Sequence, residues 1–445
     1  MMNKTLKHIK VEKLVNRGYG IGYFEGKTIF INNGIPGDVV TIEIMYSKRK
    51  NFFAGIVEFE KKSSQRTANR CEVYGKCGGC NWVDVNYENQ IKFKENLLNE
   101  TFQKIDDENT IILPFQPSDQ SDFYRNKSIM PISGNSENPI IGMFEKESHN
   151  VISHKKCYLQ PNIYDEVAEV VLNHIKSAKI RIYDEHTKKG ILRHLGFRYS
   201  IKTNELVVFL ITKGRKLPFT KLLVKNLTDK FPNIVGIVQN INPSSGNTLI
   251  GVDEKILFGR NFIKEEIGGI KFNLNYKSFF QINPYQVENL YNYLKNKINP
   301  EEVIIDAYSG IGSIGMYLAS KAKKIFAIES NKFSVDDGKR NAELNSYDNI
   351  LFYNDLVEEK IGDILDSEKV DSIIFDPPRS GLEKNIIENV CDSKINKIIY
   401  VSCNPATQAR DAKLFQEKGY QILERKGFDM FPHTFHIENV MIFER

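Results

Sequence analysis

Val303-Ile304-Ile305-Asp306-Ala307-Tyr308-Ser309-Gly310-Ile311-Gly312-Ser313-Ile314-Gly315 is the stretch on which the fold of this 445-residue chain turns. A short apolar strand, Val303–Ile305, runs into a turn punctuated by three glycines, and a helix is expected over Ile314–Lys321. Outward from it the same alternation repeats. A helix is predicted at Pro284–Lys297, a strand at Lys324–Ile328 and a helix at Lys332–Asn345. Strands follow at Ile350–Tyr353, Val370–Phe375 and Lys397–Val401. Repeated strand–helix units imply a parallel sheet with helices on both faces, whose ligands bind at the carboxyl ends of the strands.

Those strand ends carry acids. Gly310, Gly312 and Gly315 have dinucleotide-binding spacing, and Glu329 at the next strand end can accept hydrogen bonds from ribose hydroxyls, so a nicotinamide enzyme has to be considered. Asp306 argues against it. A carboxylate at the first strand end repels a pyrophosphate and suits a ligand carrying an ammonium group. Asp355 ends the third strand, placed to hold an adenine. The set fits S-adenosylmethionine better. The fourth strand ends in Asp376-Pro377-Pro378-Arg379, which is either a rigid turn or a contact to both methyl donor and substrate. Amino-group methyltransferases usually place an aromatic after two such prolines; Arg379 points to other chemistry.

Cys403 sits in Tyr400-Val401-Ser402-Cys403-Asn404-Pro405, between a strand and a helix expected from Pro405 to Phe415. The positive end of that helix favours a thiolate. Taken alone, such a cysteine is more often a small buried hydrophobe.

The N-terminal part reads differently. Residues 1–70 hold 13 Lys+Arg against 6 Asp+Glu, although the whole chain is only +5. A basic module of that kind suggests a polyanion partner or a solvated lysine-rich surface. Short strands are expected at 11–15, 20–24, 28–31, 39–45 and 53–58, enough for a small closed barrel. Lys48-Arg49-Lys50-Asn51-Phe52-Phe53 sets cations beside aromatics, a mix suited to single-stranded nucleic acid. Residues 61–70 read as a linker, and 71–275 as mixed helix and strand, with helices at 86–104 and 163–177 and a strand at 205–212. Surface loops are expected at 118–121 and 133–139. No run of about 18 apolar residues and no signal-peptide pattern occurs, so no membrane partner and a cytoplasmic location are expected.

Cys71, Cys77 and Cys80 fall within ten residues of one another, and Cys157 and Cys391 lie apart. Without an export signal, clustered cysteines ask for a metal, and spacing alone leaves zinc and iron–sulfur open.

Taken together, Phe279-Phe280-Gln281-Ile282-Asn283, Asp306-Ala307-Tyr308-Ser309-Gly310, Asp376-Pro377-Pro378-Arg379, Ser402-Cys403-Asn404-Pro405 and His436-Ile437-Glu438-Asn439-Val440 resemble the bacterial RNA (uracil-C5)-methyltransferases that make 5-methyluridine. The resemblance covers the whole chain. It implies a multidomain α/β protein in three parts. Residues 1–60 resemble the TRAM domain, an OB-like RNA-binding barrel. Residues 61–275 would form a central α+β domain with an iron–sulfur site, and 276–445 a Rossmann-like methyltransferase domain. By resemblance Gln281, Tyr308, Glu329, Asp355 and Asp376 contact S-adenosylmethionine, Cys403 is the nucleophile and Glu438 the base. Cys71, Cys77, Cys80 and Cys157 would hold a [4Fe–4S] cluster. Ser313 stands where some relatives have Asn. A barrel joined to a cluster is, within the family, typical of enzymes acting on 23S ribosomal RNA, the tRNA-specific relatives looking shorter. The partner implied is RNA, 23S rRNA before tRNA, met by a monomer. The remaining alternative is a non-catalytic RNA-binding protein with a methyltransferase fold.

Overall fold

A computed structural model describes residues 4–246, 248–393 and 395–445. Its N-terminal unit is a six-stranded sheet. Thr5–Lys10 pairs with Val39–Lys48, followed by Asn51–Lys61, Lys27–Ile31, Tyr19–Phe24 and Lys13–Val15. The first and last members of that order are consecutive in sequence. The chain crosses between them at Val11 and Glu12, whose N–H groups donate to Asp38 O (2.9 Å) and Ile21 O (2.8 Å). One bent segment thus closes the sheet into the expected barrel, around Ile9, Val11, Ile29, Ile31, Val40, Ile42 and Ile44. Each such side chain stabilises the fold by roughly 1.5–3 kcal/mol on burial. The sixth strand, Thr5–Lys10, escapes the sequence pattern because a bulge between Leu6 and Ile9 breaks its alternation.

The C-terminal sheet has eight strands. Their order is Ile350–Tyr353, Lys324–Ile328, Val303–Ala307, Ser372–Phe375, Lys397–Ser402, Glu438–Glu444, Gln421–Phe428 and Ile111–Ile112. The first five are mutually parallel; Glu438–Glu444 is antiparallel to both its neighbours. Val303–Ala307 is buried on both faces, with Ile304 in one core cluster and Ile305 in the other. Continuous apolar strands of this kind are what a two-sided parallel sheet requires. The strand order reverses beside Val303–Ala307, and a crevice opens there at the carboxyl ends.

Between these units lies a seven-stranded sheet running Val151–Ser153, Pro139–Phe144, Lys127–Gly134, Leu192–Ser200, Glu205–Thr212, Ile234–Ile241 and Asp253–Gly259. Helices Asn162–Ser177 and Thr220–Lys230 cover one face. On the other, Val207, Phe209 and Ile211 share a core with Phe272 and Leu274 of the hairpin Phe262–Ile267/Ile270–Asn275. Gly134 and Pro139 close a hairpin, so the loop expected over 133–139 is only the turn between them.

Two early segments pack on the C-terminal sheet. Helix Tyr87–Phe102 buries Phe93, Leu97, Leu98 and Phe102 in the same cluster as Ile398, Tyr400 and Phe415, and Ile111–Ile112 extends the sheet edge. The basic stretch 61–70 is no free linker. The buried Arg66 guanidinium pairs with Asp38 (2.7 Å) and Asp84 (2.5 Å), and it also donates to Asn33 O (2.6 Å). The barrel is thereby fixed to the body.

Candidate active site

The crevice is framed by the stretch that decided the fold. Gly312 has φ +73°, a conformation that glycine adopts freely, and any Cβ there would strike the Phe352 ring at 2.7 Å. At Gly315 the backbone N–H donates to Asp306 Oδ2 at 3.0 Å. Asp306 is 1% exposed, and its other oxygen has no partner among the described residues. Burial foremost pushes its carboxyl up to about 7. Glu329 Oε2 accepts from Gly310 N (3.0 Å) and its Oε1 from Asn331 N (2.7 Å), so the second strand end holds the glycine turn in place. Tyr308, at φ +62°, hydrogen-bonds Glu358 at 3.2 Å. Asp355 follows Ile350–Tyr353 and is exposed. Ser313 is engaged with the Tyr291 hydroxyl at 2.7 Å.

The fourth and fifth strand ends converge on Cys403. Asn404 Nδ2 donates to Arg379 O at 2.8 Å, tying the Cys403 turn to the Asp-Pro-Pro-Arg turn. Asp411, on helix Pro405–Glu417, accepts from Leu382 N (2.9 Å) and from Tyr400 OH (2.8 Å), which anchors that helix to the same loop. Ser402 pairs with Asn439 across the antiparallel ladder, so the next residues in register are Cys403 and Glu438. Gln281 Nε2 donates to Asp376 Oδ2 at 3.2 Å and joins the group from the segment before helix Pro284–Lys297.

Other groups than the helix end act on the thiol. Cys403 is half-buried, and its thiol is pushed up to about 12 by burial first, then by Glu438 and Asp376, with Arg379 opposing. Glu438 is 2% exposed, its Oε1 has no partner among the described residues, and burial together with Asp376 raises its carboxyl well above the usual range. Asp376 is raised as well, by burial, with the Gln281 hydrogen bond opposing. Two carboxyl groups of raised affinity for protons beside one thiol form a proton-holding site. Cys391, by contrast, is a buried thiol in the apolar core.

Sequence reasoning missed what supports the loop before Glu438. Asp429 pairs with Lys94 at 2.6 Å, both fully buried, and Lys94 also donates to Phe431 O at 3.0 Å. His433 bonds Asp122 (2.7 Å) and Gln90 (3.0 Å). No local spacing links residues more than 300 positions apart. Arg379 Nη2 meets His436 Nδ1 at 3.0 Å over the Cys403 mouth, a contact equally silent in sequence.

Cys71, Cys77, Cys80 and Cys157 line one cavity of about 660 Å³, together with Phe431, Thr434 and His436 of the loop before Glu438. Among the described residues, however, no three His, Cys, Asp or Glu side chains close on the position of a single ion. On the barrel, Phe53 stacks between Phe30 (4.9 Å) and Tyr46 (4.7 Å), beside the Lys48-Arg49-Lys50 hairpin tip.

Comparison with known proteins decides the family. The tRNA (uracil-5-)-methyltransferase family pattern matches residues 86–445, and the TRAM domain matches residues 3–57. The chain belongs to the tRNA (uracil-5-)-methyltransferase family. A Fusobacterium nucleatum protein named as an uncharacterized RNA methyltransferase is 37% identical over 457 residues, spanning 100% of this chain and 98% of its own length. A Bacillus cereus protein of the same description is 35% identical over 438 residues, covering 98% and 95%. The chain also resembles the crystal structure of Pyrococcus abyssi tRNA (uracil-54, C5)-methyltransferase in complex with S-adenosyl-L-homocysteine. That likeness has a TM-score of 0.79 and 27% identity, over 98% of this chain and 100% of that one. This chain is therefore a methyltransferase of the S-adenosylmethionine-dependent RNA uracil-5 class, with an N-terminal TRAM domain and a C-terminal methyltransferase fold. No helix among the described residues is long and apolar enough to cross a membrane.

Proposed function

We propose that this protein methylates C5 of a uridine in RNA through a covalent adduct on Cys403. The observation that carries the reading is the register that sets Cys403 beside Glu438, with Asp376 acting on both. C5 of uracil is a poor nucleophile. Cys403 gives its proton to solvent and its sulfur adds to C6, which sends the electron pair onto C5 and the C4 oxygen. C5 then displaces S-adenosylhomocysteine from the methyl group. Glu438 takes the C5 proton, the C6–S bond breaks, and 5-methyluridine leaves with the thiolate restored. Both faces of the base must be reached, so the uridine is flipped or single-stranded. Gln281, Tyr308, Glu329, Asp355 and Asp376 are assigned to S-adenosylmethionine, whose sulfonium would favour ionised carboxyl and thiol groups beside it.

The division into a barrel at 1–60, a central domain at 61–275 and a methyltransferase domain at 276–445 is part of the same reading. So is a [4Fe–4S] cluster on Cys71, Cys77, Cys80 and Cys157. Four cysteines facing one cavity are a soft donor set suited to it. A cluster binds each thiolate to a different iron, so its ligands need not converge on one ion position. The cluster would tie the 71–80 segment to Cys157; no methyl-transfer step uses it. Anaerobically purified protein should be brown, with about four irons and four sulfides per chain. Colourless protein with stoichiometric zinc would contradict the assignment.

The RNA proposed is 23S rRNA. The tRNA reading stays beside it for a specific reason: the Pyrococcus abyssi enzyme, named for tRNA, matches this chain over 98% of its length. Length therefore does not separate the two targets, contrary to the sequence expectation that tRNA enzymes are shorter. Mapping 5-methyluridine in both RNAs from a strain lacking the gene decides between them. Loss of one 23S site supports the proposal; loss confined to tRNA replaces the target. No loss in either contradicts RNA methylation.

A further inference from the structure

A second cavity, of about 470 Å³, opens directly over Cys403. Its walls come from both ends of the chain. Cys403, Arg379 and His436 face Asn16 and Arg17 of the barrel turn Asn16–Gly18. The turn is held there by packing. Gly18 lies so close to Phe435 that an added Cβ would meet its Cβ at 2.9 Å, and Leu14 is buried in the same core cluster as Leu97. Arg17 itself is exposed, at φ +71°. Its neighbour Lys13 is paired with Glu100 at 3.2 Å, whereas the Arg17 guanidinium has no carboxylate partner among the described residues.

We infer that Arg17 is a substrate-binding residue of the methyltransferase site, gripping a backbone phosphate next to the uridine that enters to Cys403. The inference rests on the proposed RNA reaction. A nucleotide extruded into this cavity must carry its flanking phosphates across the rim. Arg17 and Arg379 stand on separate segments of that rim, one from the barrel and one from the Asp-Pro-Pro-Arg turn. A planar guanidinium is suited to take a phosphate bidentately. The barrel then does more than raise local RNA concentration: it completes the entrance of the site.

The test uses the full-length protein with purified 23S rRNA and tRNA from a strain lacking the gene, the wild type reporting which RNA acquires 5-methyluridine. Arg17→Ala should raise KM for that RNA about ten-fold with kcat little changed, and should lower the slope of log affinity against log salt by about one. Binding of S-adenosylmethionine, followed by calorimetry, should be unaffected. Arg17→Lys should recover part of the affinity. Arg17→Gly is the structural control. Glycine tolerates the positive φ, so its Tm should hold or rise while RNA binding stays as weak as in Arg17→Ala. An Arg17→Ala enzyme with wild-type KM and salt slope overturns the assignment. So does weaker binding with an unchanged slope and a fall in Tm, which marks a purely structural role. Wild-type enzyme that makes no 5-methyluridine in either RNA defeats the functional reading itself, and the inference with it.

Discussion

In the proposed reaction Cys403 would attack as a thiolate, yet the groups around it favour the thiol. Glu438 is the larger of the two carboxyl influences, so its neutralisation should bring the thiol down from about 12. In Glu438→Gln, alkylation of Cys403 by iodoacetamide, followed by peptide mass spectrometry, should become faster at pH 8; an unchanged rate would contradict the electrostatics. The same substitution has a stability consequence. The folded carboxyl titrates above its unfolded value of 4.5. Between the unfolded and the folded titration the unfolded chain has lost a proton that the folded chain still holds, so Glu438 weakens the fold as pH rises through that window. The Tm gain of Glu438→Gln over wild type should therefore be larger at pH 8 than at pH 5. Equal gains would contradict a raised carboxyl. During turnover the variant should also release product slowly and accumulate the methylated adduct.

At the scale of elements, the sheet that builds the site was legible because parallel strands need continuous apolar runs and helices between them. Helix Pro284–Lys297 and strands Lys324–Ile328 and Ile350–Tyr353 fall where those patterns end. The strand-end acids and Cys403 were legible for the same reason, since a strand end is visible locally. The supports were not. Arg66 read as one more linker cation, and its two acids lie 28 and 18 positions away. Lys94 and Asp429 are a whole domain apart in sequence. Arg66→Ala would leave Asp38 and Asp84 buried without their cation, at a cost of about 3–5 kcal/mol. Limited proteolysis should then cut between barrel and body, and KM for RNA should rise while S-adenosylmethionine binding persists. A variant as resistant as wild type would show that Arg66 does not hold the barrel.

On the scale of the molecule, the barrel turn, helix Tyr87–Phe102 and the loops of the methyltransferase sheet meet around one entrance. Leu14 and Ile35 of the barrel enter the core cluster of the C-terminal sheet, and the loop before Glu438 is held by Lys94, Gln90 and Asp122. In the proposed reaction, RNA bound along the barrel aromatics and the entrance cations would be delivered to one thiol. The most direct measurement of that chemistry is trapping with RNA that carries 5-fluorouracil at the target uridine. Fluorine at C5 cannot leave as a proton, so the methylated adduct should persist. The expected result is an S-adenosylmethionine-dependent protein–RNA conjugate whose modified peptide contains Cys403, absent from Cys403→Ala, which also makes no 5-methyluridine. A conjugate on another residue, or normal methylation by Cys403→Ala, would contradict Cys403 as the nucleophile.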